Sequence, residues 1–394
     1  MLHESKDRKH LLLVLISFNS LFYVAGATFG PYINVYYRNH GLSIMQIGIL
    51  TTCGTMIALV MQPVWGVLAD RRRKRVQILR LAVACTALAV LSYYLAGNFW
   101  GFLLCASIYT AFNCAIGPLG DTIVIESACK NGFPYSRIRM GGTVSYTVVV
   151  VFAGIYLKKH PSASFGLTAC VLLAMFLVTC LMKDVYGVAD RRRENDIHIS
   201  VVLKRKGILF VLFFCCVFQI VLGCYNTFLS IFVTDLGYGN NMIGILSCIS
   251  AASEIPVLLV IDRFLRKYKT EYLMLLAGFM MVVRIMLPVV GGSIVSVMAA
   301  QTLQGMTYMI MYYCTVMYMN NHLSQEMHGI GQALLYVMQT GIASFFSNAL
   351  GGYLGERMGI IGIYELYGKV FLVIVTGCSV FVFLYHRIRV SKAR

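Results

Sequence analysis

Four ionisable side chains stand inside otherwise apolar stretches of this 394-residue sequence: Asp121, Arg139, Glu254 and Arg284. An ionised group at the centre of a membrane-spanning helix costs about 2.5–3.5 kcal/mol on insertion scales, so such residues usually face a cavity or a partner. Here they come as one acid and one base in each half of the chain, on consecutive apolar runs. A guanidinium offers a fork of donors and a carboxylate offers only acceptors, a combination suited to gripping hydroxyl groups. The plainer alternative is two internal ion pairs that tie helices together. Chemistry of other kinds finds little support. The 13 cysteines form no CxxC or other metal-ligand spacing, and the eight histidines lie near the ends of apolar runs or between them. No Ser/His/Asp set, Walker loop or glycine-rich phosphate loop is present, so neither an enzyme nor an ATP-driven pump is expected, and no cofactor.

The elements that must position these four residues follow from composition. Apolar residues make up 59% of the chain and charged residues only 12%, with a mean hydropathy of +0.75. A soluble domain carries roughly 25% charged residues. About 20 apolar residues are needed to cross roughly 30 Å of hydrocarbon. Twelve runs meet that length: about 10–37, 44–69, 76–97, 99–128, 136–157, 164–186, 207–235, 240–262, 271–290, 293–320, 327–354 and 360–386. The first continues too far to be the core of a signal peptide and is read as a retained span. The one long polar gap, 187–206, divides the chain into blocks 1–186 and 207–394. The expected fold is therefore an all-α integral membrane protein, with twelve transmembrane helices in two pseudo-symmetric six-helix bundles joined by that loop.

Charge orients the spans. Lys6, Arg8 and Lys9, the run Arg71–Arg75, Lys130, Arg191–Arg193, Lys204–Lys206, Arg263, Arg266–Lys269 and Arg387–Arg394 supply positive charge to one side. The other side holds Arg38, Lys158, Lys159, Arg357 and Lys369. By the positive-inside rule the rich side is cytoplasmic, which places both termini there. The net charge of +17 is then a topology signal with contact to anionic lipid as a secondary effect, and nucleic acid is not an expected partner. The partners expected are a small-molecule solute and the lipid bilayer of the cytoplasmic membrane, with the chain acting as a monomer.

The halves also repeat. Gln46-Ile-Gly-Ile-Leu opens the second run and Met242-Ile-Gly-Ile-Leu the eighth, and each run ends in an Asp-Arg pair, Asp70-Arg71 and Asp262-Arg263. Two repeats around a mid-bilayer site are the architecture of a rocking transporter. The segment Gly66-Val-Leu-Ala-Asp-Arg-Arg-Arg-Lys-Arg75 resembles the signature of the major facilitator superfamily between spans 2 and 3. That resemblance implies close helix approach at Gly66 and a gating role at the cytoplasmic seam for Asp70, Arg71 and Arg75. Arg73 stands where the family has glycine.

Within the superfamily the chain is most similar to the lactose permease group of oligosaccharide–proton symporters. Gly117-Pro-Leu-Gly-Asp121, with Arg139 eighteen residues later in Tyr135-Ser-Arg-Ile-Arg-Met-Gly-Gly142, resembles the acid–arginine pair that holds sugar hydroxyls in that group. Tyr146 falls where the permease stacks a tryptophan on the sugar ring, which keeps an aromatic face and adds a hydroxyl. Leu275-Leu-Ala-Gly-Phe-Met-Met-Val-Val-Arg284 matches a segment whose arginine serves proton coupling, and Glu254 lies near the span 8 acid. The span 10 His and Glu of the permease are replaced by Gln304 and Thr307, and a charged pair between spans 7 and 11 is replaced by neutral residues around Leu229 and Thr340.

These implications assemble into a secondary active transporter driven by the proton gradient. Asp121, Arg139, Tyr146 and Arg284 bind the solute, a sugar, glycoside or nucleoside. Glu254 takes the proton as Arg284 swings away, Asp121 being the competing proton site. Export of amphiphilic compounds, uptake of an organic anion and uncoupled facilitated diffusion are the alternatives.

Overall fold

A computed structural model describes residues 2–72, 74–182, 207–323 and 327–391. The polar segment 187–206, Arg73 and the side chains of Asp70 and Asp262 lie outside the described residues. The described chain is helical throughout, without a strand. The helices are α1 (Leu2–Phe29), α2 (Ile33–Asn39), α3 (Ile44–Arg72), α4 (Arg75–Leu91), α5 (Phe99–Asn131), α6 (Tyr135–Leu157) and α7 (Ala163–Leu181). They continue as α8 (Ile208–Asp235), α9 (Asn240–Lys267), α10 (Thr270–Gly291), α11 (Ile294–Thr302), α12 (Ile310–His322), α13 (His328–Tyr336) and α14 (Gly351–Ser391).

Ten of the described helical stretches are long and apolar enough to cross a membrane. One of the ten, Gly331–Leu384, covers 54 residues and contains a break at Gly359, whose φ of 72° and ψ of 171° are open to glycine but not to a side chain. The stretch between Ile294 and His322 is interrupted by a π turn at Gly305–Met309. Helices suit spans in lipid because their backbone polar groups are satisfied inside each helix.

The chain divides into two compact units. Unit 1 comprises Met1–Arg193 with Gly237–Cys248, and unit 2 comprises Glu194–Leu236 with Ile249–Arg394. In unit 1, α1 packs on α6 and α7, α3 on α5, and α4 on α5 and α7. Small residues allow the closest approaches: a Cβ on Gly120 would lie 2.6 Å from the Phe18 ring, and one on Gly142 would lie 2.4 Å from Tyr23. Hydroxyls add interhelical glue, with Thr28 and Thr168 hydrogen-bonded at 2.8 Å and Ser164 donating to the Thr28 carbonyl. The rings of Phe29, Tyr36, Tyr93 and Phe102 gather around Phe165 and its neighbours.

The first turns of α9 belong to unit 1, where they press on α6. A Cβ on Gly244 would stand 2.6 Å from the Val150 carbonyl, and one on Gly154 would stand 2.7 Å from the Asn240 carbonyl. Asn240 Nδ2 donates to the Leu157 carbonyl at 3.0 Å, and Tyr32 donates to Val150. The repeat glycine Gly244 is thus a packing surface.

Unit 2 is built around α8, whose buried face includes Phe214, Phe218, Tyr225 and Phe228. α10 packs on α14 and α12. Three π turns, Gly305–Met309, Val337–Ile342 and Phe345–Leu350, all fall in this unit, and among the described residues unit 1 has none. Between spans 7 and 11, where the sequence carries no charged pair, a neutral one forms: Thr227 Oγ1 donates to Asn348 Oδ1 at 2.7 Å.

Candidate functional site: two membrane-embedded polar clusters

In unit 1, α5 and α6 are joined by the short turn Gly132–Pro134, with Gly132 in the left-handed conformation at the end of α5. The turn reverses the chain and sets Asp121 and Arg139 beside one another. Arg139 Nη1 lies 4.0 Å from Asp121 Oδ2, and their side chains are 49% and 43% exposed. At that separation and exposure the pair contributes little to stability. It leaves a fork of donors beside two acceptor oxygens, both accessible. Two tyrosines position the pair. Tyr135, one helical turn before Arg139, donates to Asp121 Oδ1 at 3.3 Å, and the Arg139 guanidinium sits 5.1 Å from the centre of the Tyr23 ring. Tyr146 is half-buried on α6, two turns beyond Arg139.

In unit 2, Arg284 on α10 is 1% exposed. Its Nη1 donates to Thr307 Oγ1 at 3.1 Å, its Nη2 donates to Gln301 Oε1 at 3.0 Å, and its guanidinium lies 4.7 Å from the centre of the Tyr225 ring. The Tyr225 ring lies tilted at 30° against that of Tyr364, which donates to the Tyr225 carbonyl at 2.9 Å. Glu254 on α9 accepts from Gln304 Nε2 at 3.2 Å. Gln301, Gln304 and Thr307 recur at helical spacing, so one face of a single segment serves both the acid and the base.

No ion pair joins Glu254 to Arg284 among the described residues. Neutral groups of one segment contact both residues, and Thr307 Oγ1 donates in turn to the Gln304 carbonyl at 3.0 Å. The π turn makes this possible: Gly305 N–H donates to Ser253 Oγ at 3.1 Å, and a Cβ on Gly305 would lie 2.2 Å from the Ser253 carbonyl. A π turn at a functional position is a common association.

The signature segment has a different outcome. Gly66 has open space around it, with nothing described within 4 Å of a Cβ, so the close approach expected there is not made. Arg71 is exposed, and the Asp70 side chain lies outside the described residues. Arg75 is buried and donates to both oxygens of Glu126 at 2.9 and 3.0 Å, which ties the start of α4 to α5.

Sequence reasoning missed Glu126, an acid near the basic end of its run. It also missed Tyr135 and Tyr23, the bridging role of Gln301, and Arg80. Arg80 sits inside the third run and donates to the Thr179, Cys180 and Met182 carbonyls, which caps the open end of α7.

A bundle of long apolar helices with one polar cluster in each unit is an arrangement found in membrane transporters. The chain matches the MFS_1 like family over residues 12–366. It belongs to that family. Among its relatives, the maltose permease of Geobacillus stearothermophilus is 25% identical over 348 residues, covering 87% of each chain. The raffinose permease of Escherichia coli is 21% identical over 375 residues, covering 90% of this chain and 88% of that one. The crystal structure of the nucleoside transporter NupG superposes with a TM-score of 0.82 at 15% identity, covering 94% of this chain and 98% of that one. This member of the MFS_1 like family is thus a multi-pass membrane protein of the transporter fold.

Proposed function

We propose that this transporter carries a neutral polyhydroxylated solute, a sugar, glycoside or nucleoside, across the cytoplasmic membrane by alternating access. The observation that carries the reading is the half-exposed Asp121–Arg139 pair at 4.0 Å with Tyr135 and Tyr23 beside it. Hydroxyls both donate and accept, so a carboxylate and a guanidinium side by side can each hold one. The names of the two curated relatives, a maltose and a raffinose permease, and that of the structural neighbour, a nucleoside transporter, support the same solute class. The reading includes twelve spans in two blocks, 1–186 and 207–394, cytoplasmic termini, a monomer, and no cofactor beyond an ion gradient.

The energy source in this reading is the proton gradient, with Glu254 as the proton site. Gln304 and Thr307 have no proton to exchange, which leaves Glu254 as the carboxylate of the unit 2 cluster.

Solute binding to purified protein tests the site. Asp121→Asn and Arg139→Gln should each lose binding, whereas tolerance of Asp121→Asn with loss at Arg139→Gln would mean an anionic solute. Proteoliposomes test the coupling. Glu254→Gln should abolish pH-gradient-driven accumulation while exchange of preloaded solute continues; surviving accumulation would remove Glu254 from the mechanism.

A further inference from the structure

Gln304 meets Glu254 through a backbone that is pinned and an amide that is not. The Gly305 N–H donates to Ser253 Oγ at 3.1 Å, and a Cβ on Gly305 would run into the Ser253 carbonyl, so the two chains touch one residue away from both side chains. Thr307 Oγ1 donates to the Gln304 carbonyl at 3.0 Å and fixes it from the other side. The terminal amide keeps its rotation, because its last torsion is broad and roughly two-fold. Its Nε2 donates to Glu254 Oε1 at 3.2 Å, whereas its Oε1 is buried without a hydrogen-bond partner. A buried acceptor left idle is costly. A carboxylate only accepts hydrogen bonds, but a carboxylic acid also donates one. The acceptor that a protonated Glu254 requires is the atom that Gln304 leaves idle.

We propose that Gln304 is a positioning residue that serves Glu254 in both protonation states. Nε2 donates to the carboxylate. When a proton from water adds to that carboxylate, forming an O–H bond and cancelling the charge, the amide turns about its last bond and Oε1 accepts from the new O–H. This role rests on the reading of Glu254 as the proton site. The amide takes up no proton of its own, so the change of charge stays on Glu254. The other ionisable groups of the cluster are Arg284 on α10, whose guanidinium interacts electrostatically with Glu254, and Tyr225 on α8 beside it. A guanidinium and a phenol both keep their charge state where carboxylates titrate.

Infrared difference spectroscopy tests the turn, on the full chain carrying glutamine isotope-labelled at its side-chain carbonyl and acidified in steps. A carbonyl that begins to accept a hydrogen bond stretches at lower frequency. One labelled band should therefore shift down as the carboxylic acid band of Glu254 appears, and Glu254→Gln should lose both. Gln304→Met should lose the labelled shift and keep the acid band at an altered frequency. An acid band without a labelled shift, or a shift that survives in Gln304→Met, would overturn the proposal alone. Absence of any acid band that Glu254→Gln removes would overturn the reading of Glu254 as the proton site, and this role with it. Should Gln304→Met fail to fold, the unmodified protein and Glu254→Gln decide between them. A labelled shift lost with Glu254 supports the turn, and one that persists there or never arises refutes it.

Discussion

Arg139 in unit 1 stands half exposed, 4.0 Å from Asp121, whereas Arg284 in unit 2 is 1% exposed and held by Gln301 and Thr307. The sequence presents these as equivalents, one acid and one base per half. The structure makes one pair accessible and separates the other. An accessible pair at that distance is weakly bound to itself, so its hydrogen-bonding capacity is available to a solute. A buried cation among neutral acceptors holds its position and cannot trade its partner for a solute without leaving polar groups unsatisfied. In the proposed reading, similar residue types thus serve binding in one unit and charge placement in the other. A third arginine sharpens the contrast: Arg75, also buried, is matched by Glu126 through two hydrogen bonds.

The largest effect is expected where burial and ion pairing coincide. Glu126→Ala removes a carboxylate that takes two hydrogen bonds from the buried Arg75 and should destabilise unit 1 by about 3 kcal/mol. Thermal unfolding of the purified protein would register it, and a near-neutral result would mean that Arg75 reaches water. Arg139→Gln should follow, weakening solute binding by about 10–100-fold, the loss of charged hydrogen bonds worth roughly 1.5–3 kcal/mol. Unfolding stability should hardly move, because an exposed pair contributes about 0–1 kcal/mol. If both fell together, the two clusters would be more alike than the geometry implies.

A steric test comes next. Gly244→Val places side-chain atoms where a Cβ alone would meet the Val150 carbonyl at 2.6 Å, so the first turns of α9 must leave α6. Cross-linking of cysteines introduced at neighbouring positions of α6 and α9 should fall markedly, while solute binding by Asp121 and Arg139 persists. The smallest change is Thr307→Val. It removes one acceptor from the buried Arg284 and should cost about 1.5–3 kcal/mol of stability. A much larger loss would show that Thr307 is essential to charge placement.

Much of the fold could be read from the chain. Runs of about 20 apolar residues can only be satisfied as helices in lipid, and the short gaps between them force neighbours to pack. Asp121 and Arg139 were legible as a pair because a single short turn separates their helices, so sequence distance nearly dictates spatial distance. Glu126 was hidden for the opposite reason. It meets Arg75 across 51 positions, and nothing in either segment specifies that the start of α4 lies against the end of α5. Gln301 went unread because a neutral amide carries no composition signal, although its helical spacing with Gln304 and Thr307 was on view.

The sequence by itself determined that this is an all-helical membrane protein with two polar clusters, since hydropathy, charge cost and local spacing are properties of consecutive residues. Only the tertiary structure decided which arginine is accessible, which is matched by a carboxylate and which is left among neutral groups. Those outcomes depend on burial and on contacts between helices distant in the chain. A guanidinium in lipid must find a partner, but packing chooses the partner.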